Sequence, residues 1–365
     1  MTLQGKGFFI WKIRDCEGGD PQAIANLAQS SGYTHILIKV ADGPYAYNIN
    51  TSTGADLVPP VLQALRARGI KVWGWHYVYG SNPVGEANIA IQRIQTLGLE
   101  GYVIDAEAEF KQPGRETAAR TLMSRLRSTF PNLPFALSSY RFPSYHRSFP
   151  WQAFLEYCDY NMPQVYWEQA HNPDAQLRRC VSEFQALSPV RPIIPTGPAY
   201  KVNGWAPTPA DIVTFLDTAR ALNLSAANFF SWDECRRDLP TIWNTIAAYT
   251  WNIQPPPPDI TQQFISALNS GNPDSVVALY HPDAVHITAA RTIQGREAIR
   301  AWYTTLLRQL LPQATFTLTS VSGSGNSRHF TWTAQSSLGS VRDGSDTLGT
   351  FDGKIAYHYS SFKIS

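Results

Sequence analysis

The sequence is short of charge and has none of it in long runs. Charged residues make up 16% of the 365, the net charge is +2, and no stretch holds five or more Lys or Arg in a row. Binding a phosphate backbone needs clustered positive charge, so nucleic acid is not an expected partner. No apolar segment reaches the ~18 residues that suggest a membrane span, so no membrane partner is expected. The four cysteines, Cys16, Cys158, Cys180 and Cys235, form no CxxC pair. A zinc site is not expected, and no other metal is assigned. Four half-cystines are few for a disulfide scaffold, and a chain this long needs no staples. No GxGxxG follows the first strand-like segment, which argues against a doubly wound dinucleotide fold; no cofactor is expected. The N-terminus lacks the basic stretch, apolar run and small-residue cleavage site of a signal peptide. As given, the chain reads as cytoplasmic, with an exported protein trimmed of its leader left open.

What is present is an alternation. Segments 7–13, 34–43, 71–79, 101–110, 134–140, 158–167, 192–198 and 226–234 read as strands, each followed by a helical stretch. Asp20 and Pro21 read as a cap followed by proline at the first helical position. Gly69 and Gly98 read as left-handed helix ends. Eight such units in roughly 250 residues is the count and size of a (β/α)₈ barrel. Four consecutive prolines, Pro255 to Pro258, favour polyproline II and mark a semi-rigid linker. The expected organisation is a barrel over 1–251, a linker over 252–258 and a small α+β domain over 259–365. In the last, two short helices, a longer one over 296–311 and strands around 314–321, 328–337, 346–351 and 354–364 are predicted.

Catalytic residues of such barrels lie at the C-terminal ends of strands. The fourth strand ends in Val103, Ile104, Asp105, Ala106 and Glu107. With a period of two, Asp105 and Glu107 share the face of Val103, which suits an inward layer reaching the mouth. Glycoside hydrolysis commonly needs an acid for the leaving oxygen and a second group at the anomeric carbon. Neighbouring carboxylates repel, which raises the pKa of one. Glu107 is therefore the candidate acid and Asp105 the candidate stabiliser; a charged strand end paired to a cation is the alternative. Lys39 shares a face with Leu37 and, if buried, needs Asp105 or Asp42 as partner. Met162, Gln164 and Tyr166 share one face of the sixth strand, where an amide and a phenol can hold an acetamido group. Trp232 can floor a sugar subsite, but it alternates with Asp233, so one of the two is expected at the mouth. His76 is either a hydrogen-bonded core residue or a site residue. Cys16 and Cys235 follow the first and last strands; a disulfide between them stays open, and free thiols are the expectation. In the C-terminal part, Asp283, His286 and Trp302 either line a pocket or cap and pack the domain.

Ile104 to Glu107 resembles the Asp-x-Glu strand of the glycoside hydrolase family 25 lysozymes. Ile38 to Gly43 and Gly74 to Tyr77 resemble that family's second and third strands, the latter bringing in His76. The stretch Gly98 to Glu107 also resembles the family 18 chitinase motif, with Val103 in place of an expected Asp, and Gln164, Val165 and Tyr166 are similar to a Gln-x-Tyr of some chitinases. Both resemblances imply cleavage of an N-acetylated glycan, with help from the substrate's own acetamido group. The first strand departs from family 25: Phe8 to Lys12 holds no acid, and Asp15 lies a little later. A catalytically inactive glycan-binding barrel is therefore the alternative. Phe264 to Leu268, Leu279 to Val285, Gly295 to Ile299 and Asp352 to Ile355 resemble SnoaL-like domains of the nuclear-transport-factor-like superfamily. That resemblance implies a curved sheet around an apolar pocket for a small ligand. It leaves open both a homodimer through this domain and an activity seated there.

Overall fold

The computed structural model describes residues 3–251, 259–323, 326–351 and 353–365. The chain divides into two compact units, Met1–Ile253 and Gln254–Ser365. The proline-rich stretch 252–258 lies outside the described residues.

The first unit is a closed ring of eight parallel strands alternating with helices. The strands are β1 (Gly5–Ile10), β2 (His35–Asp42), β4 (Lys71–Val78), β5 (Tyr102–Ala106), β6 (Phe135–Tyr140), β7 (Tyr160–Gln164), β8 (Thr196–Pro198) and β9 (Ala226–Phe230). Each pairs with its sequence neighbour in the ring, and β1 pairs in parallel with both β2 and β9, which closes it. A two-residue strand, β3 (Tyr45–Ala46), hangs antiparallel on the end of β2. Parallel strands covered on both faces read as continuous apolar runs, and β1 is buried along its whole length. The signals at Asp20–Pro21 and at Gly98 operate as expected, whereas the helix Val58–Arg66 is capped by Ala67 in right-handed conformation and Gly69 follows beyond it at φ 73°. Asp20 accepts from the Gln22 and Ala23 amides with Pro21 opening the helix Pro21–Ser30, and Gly98 ends the helix Pro83–Leu97 at φ 57°.

Strand alternation separates two cores. Phe9, Leu37, Trp73, Trp75, Val103, Ala136, Met162 and Ile194 fill the inside of the ring. A larger set, including Phe8, Ile36, Ile38, Tyr102, Ile104 and Leu137, packs between strands and helices. The indole of Trp75 donates to the Ile10 carbonyl at 2.9 Å, which satisfies its N–H inside the ring. Two predicted strands are shorter than expected: 158–167 reduces to Tyr160–Gln164 and 192–198 to Thr196–Pro198. Proline has no N–H for the ladder, and Pro163, Pro192 and Pro195 limit pairing here. Among the described residues no helix is long and apolar enough to cross a membrane.

The second unit carries helices Ile260–Asn269, Pro273–Val277 and Arg296–Thr305 and six strands: β10 (Tyr280–Thr288), β11 (Thr292–Gln294), β12 (Thr315–Ser322), β13 (Ser327–Gln335), β14 (Ser340–Phe351) and β15 (Lys354–Ser361). Their order is β11-β10-β15-β14-β13-β12, with β10 and β15 parallel and the other pairs antiparallel, a mixed sheet. The strands at 280–294 were not among those predicted. Pro282 and the alternation of exposed and buried positions over a short stretch hide β10 in the sequence. The long helix predicted over 296–311 is an α-helix to Thr305 that continues as a π-turn, Leu306–Leu310.

Candidate functional site

Period-two alternation carries the inward face of β5 from Val103 to Asp105, and the chain bends beyond Ala106 so that Glu107 follows. Asp105 is buried and Glu107 half-buried. From β7, across β6, the Gln164 side chain reaches both. Its Nε2 lies 3.1 Å from Asp105 Oδ1 and 2.8 Å from Glu107 Oε1. It also lies 3.3 Å from Ser138 Oγ on β6. An amide NH₂ has two hydrogens, enough for one to each carboxylate. Two oxygens held on one nitrogen at these distances are at most about 6 Å apart.

Burial pushes both carboxyls up. For Asp105 the loss of water comes first and repulsion by Glu107 second, against hydrogen bonds from Ser138 and Gln164 and the charge of Lys39. For Glu107 burial again dominates, opposed chiefly by the Gln164 amide, with Glu109 adding to the rise. Three phenols face the pair. Burial and the nearby carboxylates hold Tyr77 and Tyr166 well above the ordinary tyrosine range and push Tyr140 up to about 12, so each stays a neutral hydroxyl.

Lys39 is inside the ring and its Nζ lies 2.6 Å from Asp42 Oδ2. Rings of Trp11, Tyr47, Trp75 and Tyr77 surround the ammonium at 4.4 to 5.7 Å. The β2–β4 register slips between Lys39 and Ala41, and this irregularity lets residues three apart reach one place. Tyr79 donates to the other oxygen of Asp42 at 2.9 Å. Tyr166 packs against Tyr200 and Phe230.

Two of the sequence candidates stand elsewhere. His76 is on the outer face of β4, fully buried, with Nε2 2.7 Å from the Gly43 carbonyl oxygen and its ring against Tyr102. The inward residues of that strand are Trp73, Trp75 and Tyr77. Burial brings His76 down to about 4, so the ring is neutral. Trp232 does not floor a subsite: it is wholly buried between strands and helices against Phe8, Tyr33 and Trp243. β9 ends at Phe230 and a helix begins at Trp232, so strand alternation does not extend to it. Asp233, in the first turn of that helix, is buried, and burial pushes its carboxyl up, with the Trp11 backbone amide among the influences that lower it, which puts it beside the end of β1. Asp15 sits in the turn Ile13–Asp15, 3.7 Å from Arg14. Cys16 and Cys235 are free buried thiols, as are Cys158 and Cys180.

Tyr77, Ser138 and Tyr140 belong to the site and were missed by the sequence reading. The same period-two rule, run along β4 from Trp75 and along β6 from Ala136, finds all three. In the second unit, Asp283 is exposed on the surface, while His286 and Trp302 border an apolar cleft. Among the described residues no group of three or more His, Cys, Asp or Glu is placed to hold a metal ion.

The fold and these sites define a two-part class: an eight-stranded parallel barrel followed by a SnoaL-like domain. Residues 261–358 match the family model of the SnoaL-like domain. No curated protein matches the chain. Similar solved structures include an NTF2-like protein of unknown function from Cytophaga hutchinsonii, 14% identical, covering 29% of this chain and 88% of that one at a TM-score of 0.25. Another, from Mesorhizobium loti, is 20% identical with the same coverage and TM-score. A third, from Burkholderia xenovorans, is 18% identical and covers 29% of this chain and 80% of that one, again at 0.25.

Proposed function

We propose that the barrel is a glycoside hydrolase acting on an N-acetylated glycan of the peptidoglycan or chitin kind. Glu107 is the proton donor and Asp105 the stabilising carboxylate. The observation that carries this reading is the pair of carboxyls held on the one amide nitrogen of Gln164. Both are raised by burial, and a raised carboxyl is what a general acid needs near neutral pH. The half-buried Glu107 protonates the leaving oxygen as the glycosidic bond breaks. Asp105 lies deeper, which suits orientation and charge stabilisation better than attack. The second group at the anomeric carbon is then the substrate's own acetamido oxygen, positioned by a tyrosine hydroxyl, while Asp105 faces the charge that develops on the acetamido group. Glu107, now ionised, takes a proton from the water that opens the cyclic intermediate and returns to its starting state. The aromatic faces of Trp11, Tyr77, Tyr166 and Phe230 supply apolar walls for sugar rings.

The test is turnover of chitin oligomers and peptidoglycan fragments by the full chain and by Glu107→Gln. The expected loss is about 10²–10⁴-fold, the usual worth of a general acid, with binding retained. Unchanged turnover in the variant overturns the reading.

One observation favours a second reading, a barrel that binds a glycan without cleaving it. The end of β1 offers Trp11 where the lysozyme-like pattern has an acid. Calorimetric binding with no product from either substrate selects that reading.

A further inference from the structure

From Thr117 to Leu155 the sequence holds no Asp or Glu, but five Arg and one His. Three of those arginines lie on the helix Arg115–Thr129, and the other two follow β6. Alternation along β6 takes the inward face from Ala136 through Ser138 to Tyr140, so Arg141 opens the loop at the mouth of the ring.

Tyr140 gathers cations. The His146 ring stacks on it with centroids 3.8 Å and planes 21° apart, and Lys111 Nζ lies 4.0 Å from the centre of the same ring. Lys111 ends the short turn Ala108–Lys111, which begins directly after Glu107. Burial pushes His146 down, and the charges of Lys111 and Arg141 add to that, so the three groups share one corner of the mouth. The Lys111 charge also reaches Glu107, and the Glu107 charge reaches Tyr140, which puts that corner beside the proposed proton donor.

Lys111, Arg141 and His146 are each half-buried. Among the described residues none of these three side chains has a hydrogen bond or an ion pair. Cations on the neighbouring helices differ. Arg120 reaches Glu156, Arg127 lies 2.7 Å from Asp159, and Arg179 lies 2.8 Å from Glu183. Arg179 and Arg141 even lie over the same ring, that of Phe142, at 4.1 and 5.2 Å. Burial pushes Arg141 down, and Glu168 is the first of the charges that oppose it. Glu168 already accepts the Tyr200 hydroxyl.

A charge taken partly out of water without a counter-charge is costly, and charge-assisted hydrogen bonds to a carboxylate offset that cost. The guanidinium fork matches a carboxylate in shape. We propose that Arg141, Lys111 and His146 form a subsite for a carboxylate borne by the sugar beside Glu107, so that the barrel selects an acidic glycan over a neutral one. Arg141 takes the carboxylate through its fork, Lys111 supplies a point charge, and His146 donates one hydrogen bond. This subsite rests on the glycan reading of the barrel and narrows its substrate class.

The experiment is calorimetric titration of the full chain carrying Glu107→Gln, which blocks turnover, with three tetrasaccharides. One is the neutral, fully N-acetylated chitin oligomer. The second is a hyaluronan fragment, whose carboxylates are uronates. The third alternates N-acetylglucosamine with N-acetylmuramic acid, whose carboxylates are on lactyl ethers. One of the two acidic sugars is expected to bind about tenfold more tightly than the neutral one, with a preference that shrinks as salt rises. The one that does so identifies the source of the carboxylate. Adding Arg141→Gln removes most of the preference and leaves the affinity for the neutral sugar unchanged. Lys111→Gln, on an outer turn, reduces the preference severalfold and carries the test if the Arg141 variant does not fold. Equal binding of all three sugars overturns the subsite and leaves the glycan reading standing. A preference that persists in Lys111→Gln and in a folded Arg141→Gln does the same. Binding of none of the three overturns both. Preferred binding of an acidic sugar that the unsubstituted chain does not cleave upholds the subsite and removes only the hydrolase.

Discussion

Gln164 Nε2 lies 2.8 Å from Glu107 Oε1, and the same nitrogen is also within hydrogen-bond distance of Asp105. A neutral amide from β7 thus sets the spacing and protonation of two acids on and just after β5. Its hydrogen bond is the first of the influences that hold Glu107 down against burial.

Removing that donor has a direction. In Gln164→Leu, Glu107 loses the group that lowers it and rises further. The limb of the kcat/KM profile governed by loss of the Glu107 proton moves to higher pH, and kcat falls. A pH profile measured on both proteins checks this; a fall in kcat with an unmoved limb assigns Gln164 to packing alone.

The raised carboxyls also shape stability. Asp105 and Glu107 bind protons more tightly folded than unfolded. Their contribution is fully present below the unfolded carboxylate value of about 4 and is lost as pH rises through the folded values. Asp105→Asn removes a buried charge and stabilises the chain by about 0.5–2 kcal/mol near neutral pH. Urea unfolding at pH 5 and pH 8 is expected to show the larger gain at pH 8. A loss at both values contradicts this.

Two histidines act in the opposite sense. Burial lowers His35 and His76 each to about 4. A neutral buried histidine contributes stability above its unfolded value of about 6.5, and that contribution is lost as pH falls toward 4. Unfolding free energies between pH 7 and pH 4.5 are expected to decline, and His76→Gln to flatten the slope. NMR titration of the His76 ring near pH 6.5 contradicts the assignment.

Trp232 and Trp11 separate core from site. Trp232→Ala opens a cavity in the strand–helix core and costs about 3–5 kcal/mol, with KM of the surviving folded fraction unchanged. Trp11, half-buried at the mouth, costs less on truncation and raises KM. Denaturation and kinetics on the two variants check the contrast.

Much of this site was legible because a strand's period is fixed. Leu37 and Val103 inside the ring carry Lys39 and Asp105 with them, and Met162 carries Gln164. The rule fails where the backbone stops being a strand. It was extended past Phe230 into a helix, which misplaced Trp232. It was set aside at β4, where family likeness drew His76 forward although the inward tryptophans point to Tyr77. The slip between β2 and β4 that joins Lys39 to Asp42 has no sequence signal. In the second unit, Tyr280 is far from His358 in the chain, and only the pairing of β10 with β15 brings them together.

The most direct measurement is the anomeric configuration of the first product, followed by proton NMR during cleavage of a chitin oligomer and a peptidoglycan fragment by the full chain. In the proposed sequence the acetamido oxygen displaces the leaving group from one face of the anomeric carbon and water then opens the cyclic intermediate from the other, two inversions in succession. Retention of the configuration of the cleaved bond is therefore expected; an inverted product, or no product from either substrate, contradicts the account.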